Sequence, residues 1–390
     1  MLSILPPRST SAERARSHNR RLVLGHVHAT GEIGRAELSR ACGLTIQAVS
    51  NIIAELEQEG LIRETGRRST GRGLPATLYG INPGGACALG VEVRPDALLA
   101  ALLDLNGGAI FTTRRALNDA HPTAVTQELR ALREELKSAH PDVVSRLLGA
   151  GVVMPGPFGA TGLSGTASDL PGWQETDARQ VFAEALGVPI DLDNDANAAA
   201  MAERVKGVAQ GLNDYAYLYF GTGVGLGLVS GGRRVAGAFG NAGEIGHLRV
   251  QTPDGSRALE ELASRLSLQH RLAGRGHGTI NFDRLSALDA AGDAILEEWI
   301  ATAASALGQA VHVIENLFDP ETVILGGALP ERIVDRLISR VPLPDGSVSN
   351  RPDRVRARLL RGDCGRLTAT LGAAALILDR AFSPQLGALD

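Results

Sequence analysis

The sequence predicts an α/β protein in which an N-terminal winged helix-turn-helix precedes a larger body with mixed sheets. Three observations lead to this prediction. A helix, a turn, a second helix and a basic hairpin follow one another before residue 82, strand-like and helical segments alternate after residue 87, and a glycine-dense run extends from Gly221 to His247. With 390 residues, the chain is long enough for two or three domains and a large buried core.

Composition excludes several classes of protein. Hydrophobic residues make up 44% of the chain and charged residues 21%, as in ordinary globular proteins. No apolar run reaches the roughly 18 residues of a membrane span, and no signal-peptide layout is present, so no membrane partner is expected. The three cysteines, Cys42, Cys87 and Cys364, are far apart, which predicts neither disulfides nor a cysteine metal site and fits a reducing cytoplasm.

Charge is distributed unevenly along the chain. Residues 1–80 contain 11 arginines and 7 acids, a balance of +4, whereas the remainder carries −8. A basic end on an acidic body is the asymmetry expected when that end meets nucleic acid, although a solvated charged surface would give the same count.

The N-terminal region predicts a DNA-binding head. Residues 1–17 are rich in Ser, Arg and Pro without periodicity and are expected to form a flexible arm, and residues 18–82 form the winged helix-turn-helix domain. A first helix is expected from about Asn19, and residues 34–44 then read as the first helix of the helix-turn-helix pair. The second helix of that pair follows, with Thr45 as its N-cap and Gly60 just past its end.

Operator DNA is the partner that this head predicts. Polar and small side chains at the start of the second helix suit base edges in the major groove, and arginines at the hairpin tip suit phosphates or a minor groove. The alternative is a small helical subdomain with a solvated arginine loop. The predicted DNA-binding residues are Thr45, Gln47, Ala48, Ser50, Asn51, Arg67, Arg68 and Arg72.

The body contains two polar motifs that suit hydroxyl groups. Asn194 and Asp195 precede a clear helix, so they serve either as ligand contacts or as an N-cap, and both roles can coexist. The glycine-dense run begins with GTGVGLG and ends in AGEIGH, where Glu244 and His247 are three residues apart. Glycine lets a backbone approach a ligand closely, although a glycine-rich hairpin and a capping pair explain the same residues.

On these motifs the chain resembles the ROK family of sugar kinases and sugar-responsive repressors, nearly from end to end, and in particular the xylose or N-acetylglucosamine repressor type. The resemblance implies two actin-like (ribonuclease H-like) sugar-kinase lobes, residues 83–195 and 196–390, with a ligand cleft between them. The last helix packs across a lobe, returning to the first, or forms a dimer interface. The resemblance also implies a sugar or sugar derivative bound by Asn194, Asp195, Glu244, His247 and Glu260. Trp173 either stacks on that sugar or belongs to the core.

Two departures from the family's pattern bear on function. In the kinases an acid and a Gly-Gly-Thr loop hold ATP phosphates, whereas here Glu92 is followed by Arg94, Pro95 and Asp96. Pro95 has no N–H to donate and Asp96 repels an anion, so kinase activity is not expected, and Asp195 is catalytic only if the protein is a kinase. Many members carry a zinc-binding cysteine cluster after the motif histidine. No cysteine follows His247 before Cys364, so neither metal nor cofactor is predicted.

The leading hypothesis is a cytoplasmic, sugar-responsive regulator, most simply a repressor, acting as a homodimer or homotetramer on a palindromic operator. The first alternative is an ATP-dependent sugar kinase with a fused DNA-binding head, which the GTGVGLG run and Asp195 favour. The second is a regulator controlled by a protein partner, with a vestigial pocket.

Overall fold

The head consists of three helices and a three-stranded sheet. The computed structural model describes residues 11–69, 75–156, 170–174, 176–277 and 281–382. The head elements are α1 (Ser11–Thr30), β1 (Ile33–Gly34), α2 (Arg35–Cys42), α3 (Ile46–Gln58), β2 (Ile62–Arg68) and β3 (Ala76–Ile81), with strand order β1-β3-β2.

The local signals of the head are confirmed. The Thr45 side chain accepts a hydrogen bond from the Ala48 N–H at 3.2 Å and so caps α3. The turn between α2 and α3 uses Gly43 at a φ of 66°, a conformation that glycine adopts without strain. An apolar stripe on α3 is buried against α1 and the sheet, and consists of Val49, Ile52, Ile53 and Leu56.

The first lobe is built on a five-stranded mixed sheet of order β6-β5-β4-β7-β8. Two antiparallel pairs precede two parallel pairs, and α4 and α6 bury their apolar faces against the sheet. The elements are β4 (Cys87–Arg94), β5 (Ala97–Asp104), β6 (Ala109–Ala116), α4 (Pro122–Ala139), α5 (Pro141–Val144), β7 (Leu147–Met154), α6 (Ala178–Leu186) and β8 (Ile190–Asn194).

The second lobe repeats this plan with a sheet of order β11-β10-β9-β14-β15. Its core packs around the long helix α11. The elements are α7 (Asp195–Lys206), β9 (Tyr215–Phe220), β10 (Val224–Ser230), β11 (Arg233–Arg234), β12 (Arg249–Thr252), β13 (Gly255–Ala258), α8 (Leu259–Ala263), α9 (Arg265–Ala273), α10 (Phe282–Ala291), α11 (Ala294–Phe318), β14 (Val323–Gly327), α12 (Glu331–Arg340), β15 (Leu359–Arg361) and α13 (Thr368–Phe382).

Helices α7 and α13 lie against each other between the two sheets. Backbones approach so closely here that a Cβ at Gly372 would overlap the Ala198 carbonyl of α7, and one at Gly151 of β7 would overlap Ala373 of α13. The last helix therefore returns to the first lobe and also supports the helix that begins the second. Apolar faces of both lobes meet on this helix pair.

A buried carboxylate ties the end of α7 to the segment before α13. Glu203 is fully buried and accepts hydrogen bonds from the N–H groups of Val208 at 3.0 Å, Asp363 at 3.2 Å and Cys364 at 2.9 Å. This carboxylate therefore holds the C-terminal end of α7 against the segment that precedes α13.

The head joins the body through α1 and the end of α13. The rings of His28 and Phe382 stack with centroids 4.3 Å apart. Gly25 brings α1 so near to α13 that a Cβ there would lie 2.5 Å from the Phe382 carbonyl oxygen. Head residues and α13 residues share one apolar core, so the head is anchored to the body rather than tethered by a linker.

Three expectations need correction or fall outside the structure. Residues 11–17, expected in the flexible arm, belong to α1, where Arg16 and Arg20 pair with Glu55 of α3 and hold the start of the helix on the head. The third strand of the first sheet, β6, was not predicted; its alternating exposed and half-buried residues mark an edge strand. Arg72 and residues 1–10 lie outside the described residues.

Candidate functional site

The outward face of α3 carries the predicted base-reading side chains. Gln47 and Asn51 are exposed one turn apart, and the Gln47 amide donates to Asn51 Oδ1 at 3.0 Å. Ala48 and Ser50 are half-buried beside them. Ile46, which the predicted set does not include, is 60% exposed at the start of the helix, where an apolar side chain suits a thymine methyl. The missed signal was an isoleucine directly after the N-cap.

The wing presents its arginines along β2. Arg67 and Arg68 are both exposed at the end of this strand. Arg68 donates to Glu37 of α2 at 3.0 Å, so an ion pair orients the wing against the helix-turn-helix unit. Both wing arginines therefore lie in the same domain as α3.

Of Asn194 and Asp195, it is Asn194 that takes the capping role that the sequence left open. Asn194 is the N-cap of α7, because its Oδ1 accepts from the Asn197 N–H at 2.7 Å. The Asp195 carboxylate lies instead near the glycine turn after β9, where a Cβ at Gly221 would be 3.1 Å from its Oδ2. Capping by Asn194 thus leaves the Asp195 carboxylate available to a ligand.

The surroundings of Asp195 favour its protonated form. Burial, followed by the negative charge of Glu92, raises the pKa of Asp195 to about 7 against the opposing effect of Arg94. A carboxyl group that titrates near neutrality is suited to exchanging a proton with a hydroxyl group. Strongly shifted pKa values are concentrated at functional sites in proteins.

Glu244, His247 and Glu260 form a second polar group in the cleft. His247 Nε2 lies 3.9 Å from Glu244 Oε2, and its Nδ1 lies 3.5 Å from Glu260 Oε1. The motif is a 3-10 turn at Ile245–His247, and Glu260 comes from α8. Burial raises the pKa of Glu244. His247 opposes this rise, and the negative charge of Glu260 adds to it. Both this group and Asp195 border the turn after β9, because a Cβ at Gly223 would lie 3.1 Å from Glu260 Oε2, and the charge of Glu244 contributes to the raised pKa of Asp195.

The end of β4 contributes a network that the predicted site did not include. Glu92 is 2% exposed and accepts from Arg94 Nε at 2.5 Å, Tyr219 Oη at 3.2 Å and Thr370 Oγ1 at 2.6 Å. Arg94 also donates to the Arg366 carbonyl at 3.2 Å and so joins the two lobes. The alternation of tyrosines in β9 was the available signal for Tyr219, since alternate strand residues share one face.

The surroundings of Trp173 decide between the two roles that the sequence left open for it. Trp173 is a core residue, because it is 7% exposed, packs on Phe182 at 4.9 Å and donates from Nε1 to the Ala120 carbonyl at 2.7 Å. Gly326 and Gly327 end β14, and Gly327 has a φ of 121°, which is a turn geometry open to glycine. Two loop motifs that flank the expected sugar pocket in the family's pattern, MPGPF (154–158) and DLPGW (169–173), lie partly outside the described residues.

The residues around His247 do not fit a structural zinc site. Its neighbours are two carboxylates, and the cysteines lie in α2, in β4 and beside α13. Across the described ranges, no group of three or more His, Cys, Asp or Glu side chains is arranged to hold a metal ion. Nor does any helix in that part of the chain have the length and apolar character needed to cross a membrane.

Comparison with known proteins agrees with this architecture. The family model described as "ROK family" matches residues 88–380, and that described as "Winged helix-turn-helix DNA-binding" matches residues 16–63. The xylose repressor of Bacillus subtilis is 25% identical over 319 residues, covering 80% of this chain and 83% of the repressor. A glucokinase of Halalkalibacterium halodurans is 32% identical over 267 residues, covering 62% of this chain and 80% of the kinase.

Solved structures extend the similarity to the whole fold. A ROK family transcriptional regulator, homolog of the Escherichia coli MLC protein, superposes with a TM-score of 0.72 at 23% identity. The match covers 94% of this chain and 97% of that regulator, so the head and both lobes share its fold.

Proposed function

The chain belongs to the ROK family, and from that premise we propose that it is a sugar-responsive transcriptional repressor. One observation carries the proposal: a winged helix-turn-helix is anchored by α1 to the same helix, α13, that supports the sugar-cleft helix α7. Ligand binding at the start of α7 therefore acts on elements that also hold the DNA-binding head. The similarity to xylose repressors supports this assignment.

The DNA contacts are assigned to α3 and the wing. Gln47 and Asn51 offer paired donors and acceptors for adenine, Ala48 and Ser50 flank them, and Thr45 caps the helix at the groove. Arg67 and Arg68 neutralise phosphates or enter the minor groove. Arg72, which lies between the two wing strands in the sequence, is assigned the same role. Two heads in a homodimer or homotetramer would bind the halves of a palindrome in the cytoplasm.

Sugar hydroxyls are assigned to the cleft residues. Asp195 and Glu244 accept hydrogen bonds from hydroxyls when ionised, His247 bonds through either ring nitrogen, and Glu260 orients His247 from the other side. Asn194 contributes the amide nitrogen that capping leaves unused. A sugar changes DNA binding only through its different affinities for two arrangements of the lobes.

Kinase activity is the second candidate, favoured by Asp195 and by the similarity to a glucokinase. The hairpin after β4 opposes it. Strands β4 and β5 pair directly from Arg94 to Ala97, so Pro95 and Asp96 form a tight turn with no glycine loop to wrap a phosphate. Arg94 is engaged by Glu92 and is not free to replace that loop.

Incubation with Mg-ATP and a panel of pentoses, hexoses and amino sugars is expected to release no ADP beyond a no-sugar control. Coupled-enzyme detection of ADP checks this expectation. A sugar-dependent rate that disappears in Asp195→Asn would instead establish the protein as a kinase with Asp195 as its base.

The wing is tested by replacing Arg67 and Arg68 with alanine together. DNA affinity is expected to fall about 10- to 100-fold, and the slope of log affinity against log salt to shrink by about 2, because each phosphate contact releases counterions. Gel shifts over a salt series measure both quantities on a duplex selected from a random library.

Arg249→Ala with Arg257→Ala provides the matched control, since these are two exposed arginines on the β12–β13 hairpin of the second lobe. Equal losses in the two double variants would contradict the assignment of the wing and point to a general effect of net charge.

A further inference from the structure

Two buried acids lie on β8, directly before the residues assigned to the sugar. Asp191 is 2% exposed and Asp193 is 4% exposed, and they share one face because they are two residues apart in a strand. Asp193 Oδ1 accepts hydrogen bonds from the Asn194 N–H at 2.8 Å and from Asn197 Nδ2 at 2.9 Å. Asp193 therefore holds the start of α7 in place.

An arginine from the second lobe reaches both of these acids. Arg234 Nη1 bonds to Asp193 Oδ2, and Arg234 Nη2 lies 3.9 Å from Asp191 Oδ2. Arg234 is on β11, and β8 and β11 are edge strands of the two five-stranded sheets. The loop that leads to Glu244 begins directly after β11. Arg234 thus connects the strand that leads into α7 with the loop that carries the other proposed sugar contacts.

The last turn of α13 brings a second arginine to the first acid. Arg380 Nη2 lies 2.9 Å from Asp191 Oδ1, so the two oxygens of one carboxylate face arginines from different parts of the molecule. Phe382, two residues further along α13, stacks on His28 of the head, and its carbonyl lies against Gly25 of α1. The same turn of α13 therefore contacts both the buried acid and the head.

The charge of Arg380 also acts on the head. Arg21 lies on α1, and burial together with the charge of Arg380 lowers the pKa of its guanidinium. The Arg21 Nε is buried and has no hydrogen-bond partner among the described residues. Two like charges repel less strongly when a carboxylate lies beside one of them. Asp191 therefore offsets a repulsion between the body and the head for as long as Arg380 stays next to it.

Burial makes the contacts of Asp191 sensitive to small movements. A charge removed from water is stabilised only by close and well-placed opposite charges. Burial raises the pKa of Asp191, and Arg380 and Arg234 oppose this rise. A shift of β11 relative to β8 therefore changes how the Asp191 carboxylate is shared between the two arginines.

We propose that Asp191 is a positioning residue that couples the sugar cleft to the DNA-binding head, through Arg234 on one side and Arg380 on the other. This inference rests on the proposed function and specifies how its two sites communicate. It assigns Asp191 no contact with sugar or DNA. Its effect is confined to the coupling between the two binding events.

The order of events follows from the contacts. A sugar held by Asp195 and Glu244 draws the loop after β11 toward α7 and brings Arg234 closer to β8. As Arg234 takes a larger share of the Asp191 charge, Arg380 is held less firmly. The repulsion between Arg380 and the head then increases, and the packing of α13 on α1 changes.

Coupling is measured on the full chain as the ratio of DNA affinity without sugar to DNA affinity with saturating sugar. D-xylose, D-glucose and N-acetyl-D-glucosamine are each added to gel shifts on a selected duplex, and calorimetry gives the affinity of the free protein for each sugar. In Asp191→Asn the ratio is expected to fall about 3- to 30-fold. DNA affinity without sugar and sugar affinity without DNA should both stay within about 3-fold of the wild type, whereas a general structural defect would lower them and leave their coupling unchanged.

A second variant and a matched control accompany Asp191→Asn. Arg380→Gln is expected to lower the ratio by a similar factor, and the double variant by no more than either single one, because both changes remove the same contact. The Arg380 side chain is 40% exposed, so its replacement tests the contact even if Asp191→Asn proves unstable. Asp289→Asn is the control, since Asp289 of α10 is also a buried acid shared by two arginines, Arg332 and Arg336 of α12. Its ratio should stay within about 2-fold of the wild type, and thermal unfolding checks the folding of every variant.

Unchanged ratios in Asp191→Asn and Arg380→Gln would overturn the inference and leave the proposed function intact. So would additive losses in the double variant, or an equal fall in Asp289→Asn. If neither these three sugars nor the wider panel of pentoses, hexoses and amino sugars alters DNA binding by the wild type, both the inference and the proposed function fail. A protein partner then becomes the better explanation.

Discussion

Asp195→Asn is expected to abolish the response of DNA binding to sugar while raising the thermal stability of the free protein at pH 8. The response is lost because a charged hydrogen-bond acceptor for a sugar hydroxyl is replaced by a neutral amide. This replacement is expected to lower sugar affinity about 100-fold. Gel shifts with and without ligand, together with thermal unfolding at two pH values, measure the two effects.

The gain in stability follows from the raised pKa of Asp195. The folded protein holds this proton up to about pH 7, whereas the unfolded chain releases it near the ordinary value of 3.8. Stability therefore falls as pH rises through that window, because the unfolded state binds fewer protons there. A neutral asparagine avoids this loss, so the variant should gain up to roughly 4 kcal/mol at pH 8 and progressively less toward pH 4.

Asp283→Asn is the matched control, since Asp283 is an exposed acid in the first turn of α10. Its loss should cost under about 1 kcal/mol through the helix dipole and leave the sugar response unchanged. If Asp195→Asn destabilises the protein as the control does, Asp195 supports the helix N-terminus and the ligand role assigned to it is wrong.

Glu203→Ala is expected to lower the free energy of unfolding by about 3–5 kcal/mol, because a fully buried acceptor for three backbone N–H groups is removed. Urea unfolding followed by circular dichroism measures the change. The free energy of unfolding of Glu203→Gln should lie between those of the wild type and the alanine variant, because a single amide oxygen can accept from only some of the three N–H donors.

Glu298→Ala serves as the comparison, because Glu298 is 71% exposed and its contact with Arg271 is a surface pair worth about 0–1 kcal/mol. A loss for Glu203→Ala that stays within about 1 kcal/mol of this control would show that water replaces the carboxylate. The segment before α13 would then not depend on Glu203.

The head illustrates what local sequence signals determine. Thr45 is followed by apolar residues at helical spacing, and Gly43 and Gly60 stand where left-handed backbone is needed, so α3 and its flanking turns were predicted correctly. These features depend on side chains and backbone within a few residues of each other. The period-2 pattern of β9 is equally local.

The arrangement of the site depends on contacts between residues that are far apart in the sequence, and local sequence patterns do not predict such contacts. Glu92 and Thr370 are 278 residues apart in the chain, and Arg94 reaches the Arg366 carbonyl from the opposite lobe. Arg265 looks like a surface arginine in sequence, and only the packing of α9 beside the turn after β9 places it at the cleft. The third strand β6 was missed because its inward positions are only half-buried and are occupied partly by Thr and Arg, so its burial alternates while its apolar residues do not.

The contact between α1 and Phe382 has a consequence for how such proteins can be recombined. A side chain at position 25 would collide with the Phe382 carbonyl oxygen, and the His28 ring stacks on the Phe382 ring. The head therefore packs specifically against the last turn of α13, as well as against the segment that directly follows the head in the sequence. Chimeras that exchange DNA specificity between relatives should carry α1 and the last turn of α13 from one parent, so that the breakpoint falls after α1 and never through this pair.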